Sequence, residues 1–525
     1  MKLTSVGLLV LSSSLSIHAS AVPSGPDHGG TLPNYTNPVL WEDLADLDVF
    51  RVEDTYYYSA SNMAFSPGAP ILKSGDLVNW EYIGHSVPTL EFNNTDAYSL
   101  DGGKQAYVKG IFASSMRYRA STRSWIWIGC VEYKHTFVYE AADPTGVWEL
   151  VKSIDTCYYD CGLLIDDNDD LFVAYGNTNI SVAQLNDDYS EKSVKSVFNG
   201  TFYIEGSRFY HIGDQYYILT TQPANREWTL KSSSGPFGPY EIKVFADEVD
   251  PPTAGAGYPH QGGIVDTPNG DWYYMAFIDD YPEGRVPVLS PFHFDSDGWP
   301  TLPSNQTFNQ SHPYPSKPVP VPPKTGIDRF RGNKLGPEWE WNHNPDVSAY
   351  SLSKRGLVLR TASVTPDLFR AKNTLTHRIL GPSSTATIHL DISKMQAGDR
   401  AGLALFRDNM AHIAIQDGQV QLWRNLSLGA GWNTVSTGFV EASAPLPRGA
   451  RDVYFSLHAN VAPQSDKLGT FSWSTNGKNF QQLGTPYLMN STYYFFVGYR
   501  FGIFNFATEE LGGSVTVRSF EMTAP

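Results

Sequence analysis

The sequence predicts an all-β protein, in which a five-bladed β-propeller is followed by a β-sandwich domain. Three observations support this fold class. The first half of the 525-residue chain repeats one turn-and-strand pattern, a proline-dense segment follows, and short alternating segments fill the remainder. Long stretches of helical periodicity are not apparent, which favours strands throughout.

The repeat in the first half consists of a polar or turn-prone stretch that leads into an aromatic or aliphatic strand. Its two middle intervals match the roughly 40 to 50 residues of a four-stranded propeller blade. The first and last intervals are longer and require loop insertions. Unrelated hairpins in a sandwich are the alternative explanation. The five copies, which predict five blades, begin at Glu53, Thr122, Asn168, Gly213 and Asn269.

The proline-dense segment marks a domain boundary. Proline cannot donate to a sheet ladder, and a run of prolines favours an extended, stiff connector. We therefore place the propeller at residues 22–312, the linker at 313–326 and the sandwich at 327–525. Alternating segments such as 385–390 and 412–415 are typical of a sandwich.

The first 21 residues have the organisation of a secretory signal peptide. Lys2 precedes a short apolar run, and Ala19-Ser20-Ala21 offers a cleavage site. The run is shorter than the about 20 residues that span a bilayer. The sequence thus predicts a secreted, extracellular protein. Eight N-glycosylation sequons agree with that route, at Asn34, Asn93, Asn179, Asn199, Asn305, Asn309, Asn425 and Asn490.

Composition restricts the partners. The net charge of −16 disfavours nucleic acid and anionic membranes through repulsion, whereas a neutral polymer is compatible. Aromatic residues make up 14% of the chain, and they suit sugar stacking and β-rich cores equally. With three cysteines, at most one disulfide forms within the chain, and the sequence does not decide whether Cys157 or Cys161 pairs. We expect a monomer.

Three acidic residues precede the same part of a blade in different copies of the repeat. Asp46 precedes the first repeat strand, Asp160 the third and Glu205 the fourth. Equivalent positions on different blades converge at one end of the central channel, so these carboxylates are predicted to share a pocket. A turn-forming aspartate and a surface glutamate are the structural alternatives for Asp160 and Glu205.

The motifs around these acids resemble family 43 of the glycoside hydrolases. They are Asn37-Pro38-Val39-Leu40 before Asp46, then Tyr159-Asp160, Glu205-Gly206 and His260-Gln261-Gly262-Gly263. Further matches continue into the second domain and cover nearly all of the mature chain. The resemblance implies a five-bladed propeller and an inverting mechanism. It implies Asp46 as general base, Glu205 as general acid, and Asp160 as the residue that orients the acid and tunes its pKa.

One departure from the family concerns the base. The family usually has Pro-Asp-Pro there, whereas this chain has Ala45-Asp46-Leu47. The loss of two prolines removes φ restraints but leaves the carboxylate. The register from Asn37 favours Asp46, with Asp43 interpreted as a turn residue and Asp48 as a solvated strand neighbour.

Three further residues are candidates for substrate binding. The family context places His260 towards the channel, with a core histidine as the alternative. Arg285 is expected to bind sugar hydroxyls or to pair with a channel carboxylate, with a surface salt bridge as the alternative. Tyr159 is predicted to form a wall of the sugar pocket, although strand alternation could turn it into the core. We expect the sandwich aromatics to serve packing rather than binding.

Three segments are most similar to fungal arabinofuranosidases that act on arabinoxylan, namely residues 40–43, 158–167 and 342–346. The resemblance implies release of α-1,3-linked L-arabinofuranose from plant cell-wall arabinoxylan and its oligosaccharides, notably from doubly substituted xylose. An exo-acting β-1,4-xylosidase and a non-catalytic sugar-binding propeller are the alternatives. No cofactor or metal is required by this chemistry, and a structural calcium ion is compatible with the scattered aspartates.

Overall fold

The computed structural model describes residues 32–303, 308 and 311–525. The predicted signal peptide and the sequons at Asn305 and Asn309 lie outside the described residues. The fold is all-β, as predicted. In the described part of the chain, one short α-helix (Thr95–Tyr98) and three 3₁₀ turns interrupt the strands, and no helix is long and apolar enough to cross a membrane. The 3₁₀ turns are Val347–Ala349, Leu368–Arg370 and Tyr493–Phe495.

The first domain consists of five antiparallel four-stranded sheets, which are the blades of a propeller. The strands of blade 1 are Asp48–Val52, Thr55–Ser59, Gly68–Ser74 and Glu81–Val87. Those of blade 2 are Ser115–Arg119, Ser124–Val131, His135–Ala141 and Glu149–Ile154. Those of blade 3 are Gly162–Ile165, Leu171–Tyr175, Asn179–Leu185 and Glu191–Asn199. Those of blade 4 are Glu205–Ile212, Gln215–Gln222, Arg226–Ser232 and Glu241–Asp247. Those of blade 5 are His260–Asp266, Trp272–Asp280, Gly284–Phe294 and Pro300–Thr301.

The sequence repeat corresponds to the second strand of each blade. The first strands contact one another in a closed ring and line the central channel. The long first and last intervals of the repeat contain the predicted insertions, which are residues 88–114 after blade 1 and 248–259 after blade 4. The five-bladed propeller is therefore confirmed, because every copy of the repeat supplies one blade.

Hydrophobic clusters fill the space between neighbouring blades, because alternate side chains of each strand point to opposite faces of its sheet. Tyr57 of blade 1 packs edge-on against Trp125 of blade 2, with ring centroids 4.4 Å apart. Separate clusters join blades 2 and 3, blades 3 and 4, and blades 4 and 5. A further cluster joins blade 5 to blade 1 and closes the ring. Each buried large side chain contributes about 1.5–3 kcal/mol.

The proline-rich segment lies along the propeller. Strands Asn34–Tyr35 and His312–Pro313 pair with each other, and the Tyr314 amide donates to the Pro33 carbonyl at 2.9 Å. Farther along, the Val319 amide donates to Asp76 Oδ2 at 2.7 Å. No strand occurs between residues 314 and 325, all of which are described, as expected for a run of prolines.

The second domain is a β-sandwich with its core between two sheets. One sheet contains Tyr350–Ser353, Gly356–Arg360, Ser514–Thr523, Ser383–Lys394, Asp452–Asn460, Leu468–Ser474 and Gln481–Gln482 in spatial order, with Gly326–Asp328 and Tyr487–Leu488 paired beside this path. The other contains Thr434–Pro445, Gln419–Leu428, Asn409–Gln416, Asp399–Phe406, Arg500–Ala507, Leu375–Arg378 and Glu340–Asn342 in spatial order.

The propeller supplies the edge strand of the second sandwich sheet. Strand Phe65–Ser66, which follows the second strand of blade 1, pairs with Glu340–Asn342. The guanidinium of Arg500 lies 3.6 Å from the centroid of the Phe65 ring and pairs with the buried Glu340 carboxylate at 2.5 Å. The pairing of these two strands, and the buried Arg500 guanidinium that lies between Phe65 and Glu340, thus join the two domains into one unit.

The cysteines form one disulfide. Cys130 is bonded to Cys157, and Cys161 is a buried free thiol. The sequence allowed at most one bridge and left open whether Cys157 or Cys161 pairs, and the structure pairs Cys157. The bond ties the end of the second strand of blade 2 to the segment that leads into blade 3.

A buried acid near the domain junction makes stability depend on pH. Burial raises the pKa of Asp280, at the end of a blade 5 strand, to about 7, and the positive charge of Lys467 only partly offsets this. In the unfolded chain this carboxyl titrates near 3.9. Because the folded pKa is the higher one, its contribution to stability is fully present below about pH 4 and is lost as the pH rises through about 7.

We therefore expect the thermal denaturation midpoint to decrease when the pH is raised from 4.5 to 7.5. The Asp280→Asn variant should show a smaller decrease. Asp271→Asn, at an exposed turn of the same blade, is the control and should keep the wild-type pH dependence. Melting curves at both pH values measure this. An Asp280→Asn midpoint that falls as steeply as that of the wild type would contradict the assignment.

Candidate active site

A cavity of about 550 Å³ opens at one end of the central channel. All six residues predicted from the sequence line it, namely Asp46, Tyr159, Asp160, Glu205, His260 and Arg285. Asp46, Asp160, Glu205 and His260 each lie at or just before the first strand of a blade, and Arg285 lies near the start of the third strand of blade 5. The propeller symmetry brings these distant positions together, as the repeat predicted.

Two of the acids lie just before the first strand of a blade, at residues whose backbone conformation is uncommon outside glycine. Asp46 has φ of 53° and Asp160 has φ of 48°, which is the left-handed region that aspartate tolerates better than most side chains. In blade 4 the corresponding residue is Gly206, at φ of 72°, within an irregular stretch of pairing between Glu205 and Arg208. This irregularity allows Glu205 to reach the cavity while Arg208 points into the channel.

Asp46 is buried and held by two side chains. Its Oδ1 accepts from Arg285 Nη1 at 2.6 Å, and its Oδ2 accepts from Ser61 Oγ at 2.7 Å. The Ser61 amide also donates to the Ala45 carbonyl at 3.1 Å. Hydrogen bonds therefore fix the loop in which the family's two prolines are missing.

Asp160 is a buried carboxyl beside two others. Desolvation, together with the negative charges of Glu205 and Asp46, raises the pKa of Asp160 well above its usual range. Asp160 therefore keeps its proton into a higher pH range than an isolated carboxyl would.

Glu205 is less buried than the two aspartates and accepts two phenol hydroxyls at one oxygen. Tyr159 donates to its Oε2 at 2.7 Å, and Tyr203 donates to the same atom at 2.6 Å. Tyr159 also stacks on Tyr133, with ring centroids 5.5 Å apart. Of the two alternatives for Tyr159, the structure has it at the cavity and not in the core.

The buried guanidinium of Arg208 connects the blades that carry the acids. Its Nη2 donates to the Asp46 carbonyl at 2.8 Å, its Nε to the Leu47 carbonyl at 2.8 Å, and its Nη1 to the Cys161 carbonyl at 3.0 Å. Arg208 itself lies three residues after Glu205. One side chain thus fixes the backbone on either side of the pocket, and the sequence motifs gave no sign of it.

Both neighbouring aspartates are buried, so their sequence interpretations were wrong. Asp48 is not a solvated strand neighbour, because its Oδ2 accepts from Ser115 Oγ at 2.6 Å and from Arg117 Nη1 at 2.6 Å. Asp43 is not an ordinary turn residue, since it accepts from the Arg285 amide and the Gly498 amide, each at 2.9 Å. Neither carboxylate lines the cavity.

His260 and Arg285 occupy the blade 5 side of the cavity. His260 is buried, and its Nδ1 lies 2.8 Å from the Tyr258 carbonyl oxygen. Arg285 forms the channel-carboxylate pair that the sequence proposed, so it is not a surface salt bridge. Among residues 32–303, 308 and 311–525, no group of three or more His, Cys, Asp or Glu side chains could hold a metal ion.

The sandwich domain completes the cavity wall, contrary to the expectation that its aromatics only pack. Tyr493 and Phe496 line the cavity, and the Phe496 ring lies 5.0 Å from the Arg285 guanidinium carbon. Tyr281 donates to the Phe496 carbonyl at 2.8 Å and secures this contact. Sequence reasoning missed these residues because they lie more than 200 positions after Arg285, and no repeat links them to blade 5.

Several carboxylates lining one pocket of sugar size are the arrangement that glycoside-cleaving enzymes use. The model of glycosyl hydrolases family 43 matches residues 35–300, and the model of the beta-xylosidase C-terminal concanavalin A-like domain matches residues 327–523. The chain therefore belongs to glycosyl hydrolases family 43.

Similar proteins agree with this assignment. A solved structure of a family 43 enzyme, engineered in its active site to display both endo-xylanase and exo-arabinofuranosidase activity, is 42% identical, with a TM-score of 0.90 over 94% of this chain and 100% of that chain. A beta-xylosidase of Formosa agariphila is 26% identical over 93% of this chain and 90% of its own length. A non-reducing end alpha-L-arabinofuranosidase of Bacteroides ovatus is 25% identical over 72% and 74%.

Replacement of Arg208 tests its structural role. We expect Arg208→Met to lower the free energy of unfolding by about 3–5 kcal/mol, because four carbonyls lose their donor and the buried Asp48 loses a nearby positive charge. Arg226→Met, which removes an exposed partner of Asp247 on the same blade, is the matched control and should unfold as the wild type does. Urea denaturation measures both, and equal midpoints for the two variants would contradict the role of Arg208.

Proposed function

We propose that this protein is an inverting glycoside hydrolase that releases α-1,3-linked L-arabinofuranose from arabinoxylan side chains. The observation that carries the proposal is the meeting of Asp46, Asp160 and Glu205 in one cavity, which is closed around its sides by tyrosines and by the sandwich domain. A pocket suits a single terminal sugar, whereas a polymer threaded through the site would need an open cleft.

The proposed roles follow from the contacts. Asp46 forms an ion pair with Arg285, which requires the carboxylate form that a general base needs. As base, it takes a proton from the water that attacks the anomeric carbon. Glu205 gives a proton to the leaving oxygen, and Asp160 lines the cavity beside it as the residue that orients the acid. These steps use carboxylates and water.

Two observations bear on the choice of sugar. The 42% identical structure is of an engineered enzyme that displays both endo-xylanase and exo-arabinofuranosidase activity, and a pocket for one terminal sugar favours the exo activity on arabinofuranose. A β-1,4-xylosidase acting on xylo-oligosaccharides is the second candidate, because several relatives are named xylosidases and the second domain matches a xylosidase C-terminal model. Both candidates share the same carboxylates, so products must distinguish them.

Product analysis on wheat arabinoxylan and its oligosaccharides makes that distinction. We expect arabinose as the released sugar, with doubly substituted oligosaccharides cleaved at their 1,3-linkage in preference to singly substituted ones. Linear xylo-oligosaccharides serve as the comparison substrate. Release of xylose from them without release of arabinose from arabinoxylan would replace the first candidate by the second.

The acid assignment is tested by Glu205→Gln, which keeps the size of the side chain and removes the acidic proton. We expect turnover of substrates with poor leaving groups to fall by about 10²–10⁴-fold, while sugar binding persists. Glu241→Gln, on the exposed outer strand of the same blade, is the control and should match the wild type. A Glu205→Gln variant with undiminished turnover would contradict the assignment and would favour a sugar-binding propeller without catalysis.

We propose further that the protein is secreted and glycosylated. Among the sequons in the described residues, the asparagines at 34, 93, 179, 199 and 425 are exposed, as glycan attachment requires. The half-buried Asn490 instead donates its side-chain amide to Asp408 Oδ2 at 3.0 Å. Glycopeptide mapping after secretion from a eukaryotic host should show glycans at exposed sites and none at Asn490.

A further inference from the structure

We propose that Tyr203 and Tyr159 are positioning residues that select Oε1 as the oxygen from which Glu205 delivers its proton. The inference rests on the proposed role of Glu205 as general acid and adds the atom that acts and the groups that choose it. Nothing in the sequence motifs assigns a role to Tyr203, which lies two residues before Glu205.

The hydrogen-bond geometry separates the two oxygens of Glu205. Both phenol hydroxyls donate to Oε2, at 2.7 Å from Tyr159 and 2.6 Å from Tyr203. No group in the described ranges 32–303, 308 and 311–525 hydrogen-bonds to Oε1. One oxygen is therefore occupied by two donors, and the other is free to face a substrate.

The two tyrosines reach Glu205 from different sides. Tyr159 belongs to the segment that leads into blade 3, and its ring is fixed against Tyr133. Tyr203 belongs to the segment before blade 4, and its side is open to solvent, with 47% of its surface exposed. Desolvation and the charge of the neighbouring carboxylate raise the pKa of Tyr203, so it stays a phenol donor at working pH.

This arrangement determines where the proton lies. A carboxyl oxygen that bears a proton is a poor acceptor, so two donors at Oε2 favour the tautomer protonated at Oε1. In the reaction, the Oε1–H bond breaks and the proton joins the glycosidic oxygen. The bond from that oxygen to the anomeric carbon breaks, and its electron pair stays on the leaving oxygen. Water adds to the carbon and loses a proton to Asp46.

The same two hydroxyls favour the transition state over the ground state. As Glu205 loses its proton, negative charge spreads over both carboxylate oxygens, and hydrogen bonds to a charged acceptor are about twice as strong as neutral ones. Donors that strengthen as charge develops accelerate the chemical step. The gain in rate is therefore larger for a poor leaving group, which must receive a proton to depart, than for a good one.

Tyr203→Phe is the cleanest test, because it removes one hydroxyl from a half-exposed ring and leaves the ring in place. Wild type and variant are assayed on two glycosides of the sugar that the wild type releases, one with a nitrophenyl leaving group and one with an alkyl leaving group. We expect kcat on the alkyl glycoside to fall roughly tenfold and kcat on the nitrophenyl glycoside to change little. The alkaline limb of kcat should move to higher pH, since the carboxylate form loses a donor.

Controls separate this role from a structural one. Tyr216→Phe, a hydroxyl deletion elsewhere on blade 4, should leave both substrates and the pH profile unchanged. The Tyr159→Phe/Tyr203→Phe variant should widen the gap between the substrates, and its melting curve reports folding. An equal fall on both substrates with an unmoved alkaline limb, or a change in KM alone, would overturn the inference and leave the proposed function intact. A wild-type protein that cleaves neither arabinofuranosides nor xylosides would overturn the proposed function and this inference with it.

Discussion

The guanidinium of Arg208 is the contact on which the geometry of this site depends. A propeller brings equivalent residues of different blades to one end of its channel, but it leaves their spacing to the packing of separate sheets. Arg208 adds direct bonds to the Asp46 and Cys161 carbonyls from a position three residues after Glu205. Because these bonds are buried, they hold the three acid-bearing segments in a fixed relation, as catalysis that depends on positioning requires.

The second domain also helps to position the proposed base, Asp46. Asp43 accepts one amide from blade 5, at Arg285, and one from the sandwich, at Gly498. Arg285 in turn holds Asp46, and Phe496 of the sandwich covers its guanidinium. A chain of contacts therefore runs from the sandwich to the proposed base. This accounts for a base loop that keeps its left-handed corner without flanking prolines, since hydrogen bonds from both domains restrain it.

Much of the fold could be predicted from sequence because it is repetitive. Five turn-and-strand copies gave the blades, and equal positions within copies gave the meeting of Asp46, Asp160 and Glu205. The features that could not be predicted are contacts that do not recur with the repeat. The burial of Asp48 depends on Arg117 of the next blade, and the contribution of Phe496 depends on how two domains dock. The pairing of Cys130 with Cys157 joins segments of neighbouring blades, which spacing alone could not reveal.

In the proposed mechanism, Asp46 and Glu205 act from opposite sides of the sugar, with a water between Asp46 and the anomeric carbon. The most direct measurement is the configuration of the first product, followed by proton NMR during the opening minutes of hydrolysis, before mutarotation. We expect an inverted anomer, which is β-arabinofuranose from an α-arabinofuranoside. An initial product that retains the substrate's configuration would contradict it, since retention requires a carboxylate close enough to bond to the sugar itself.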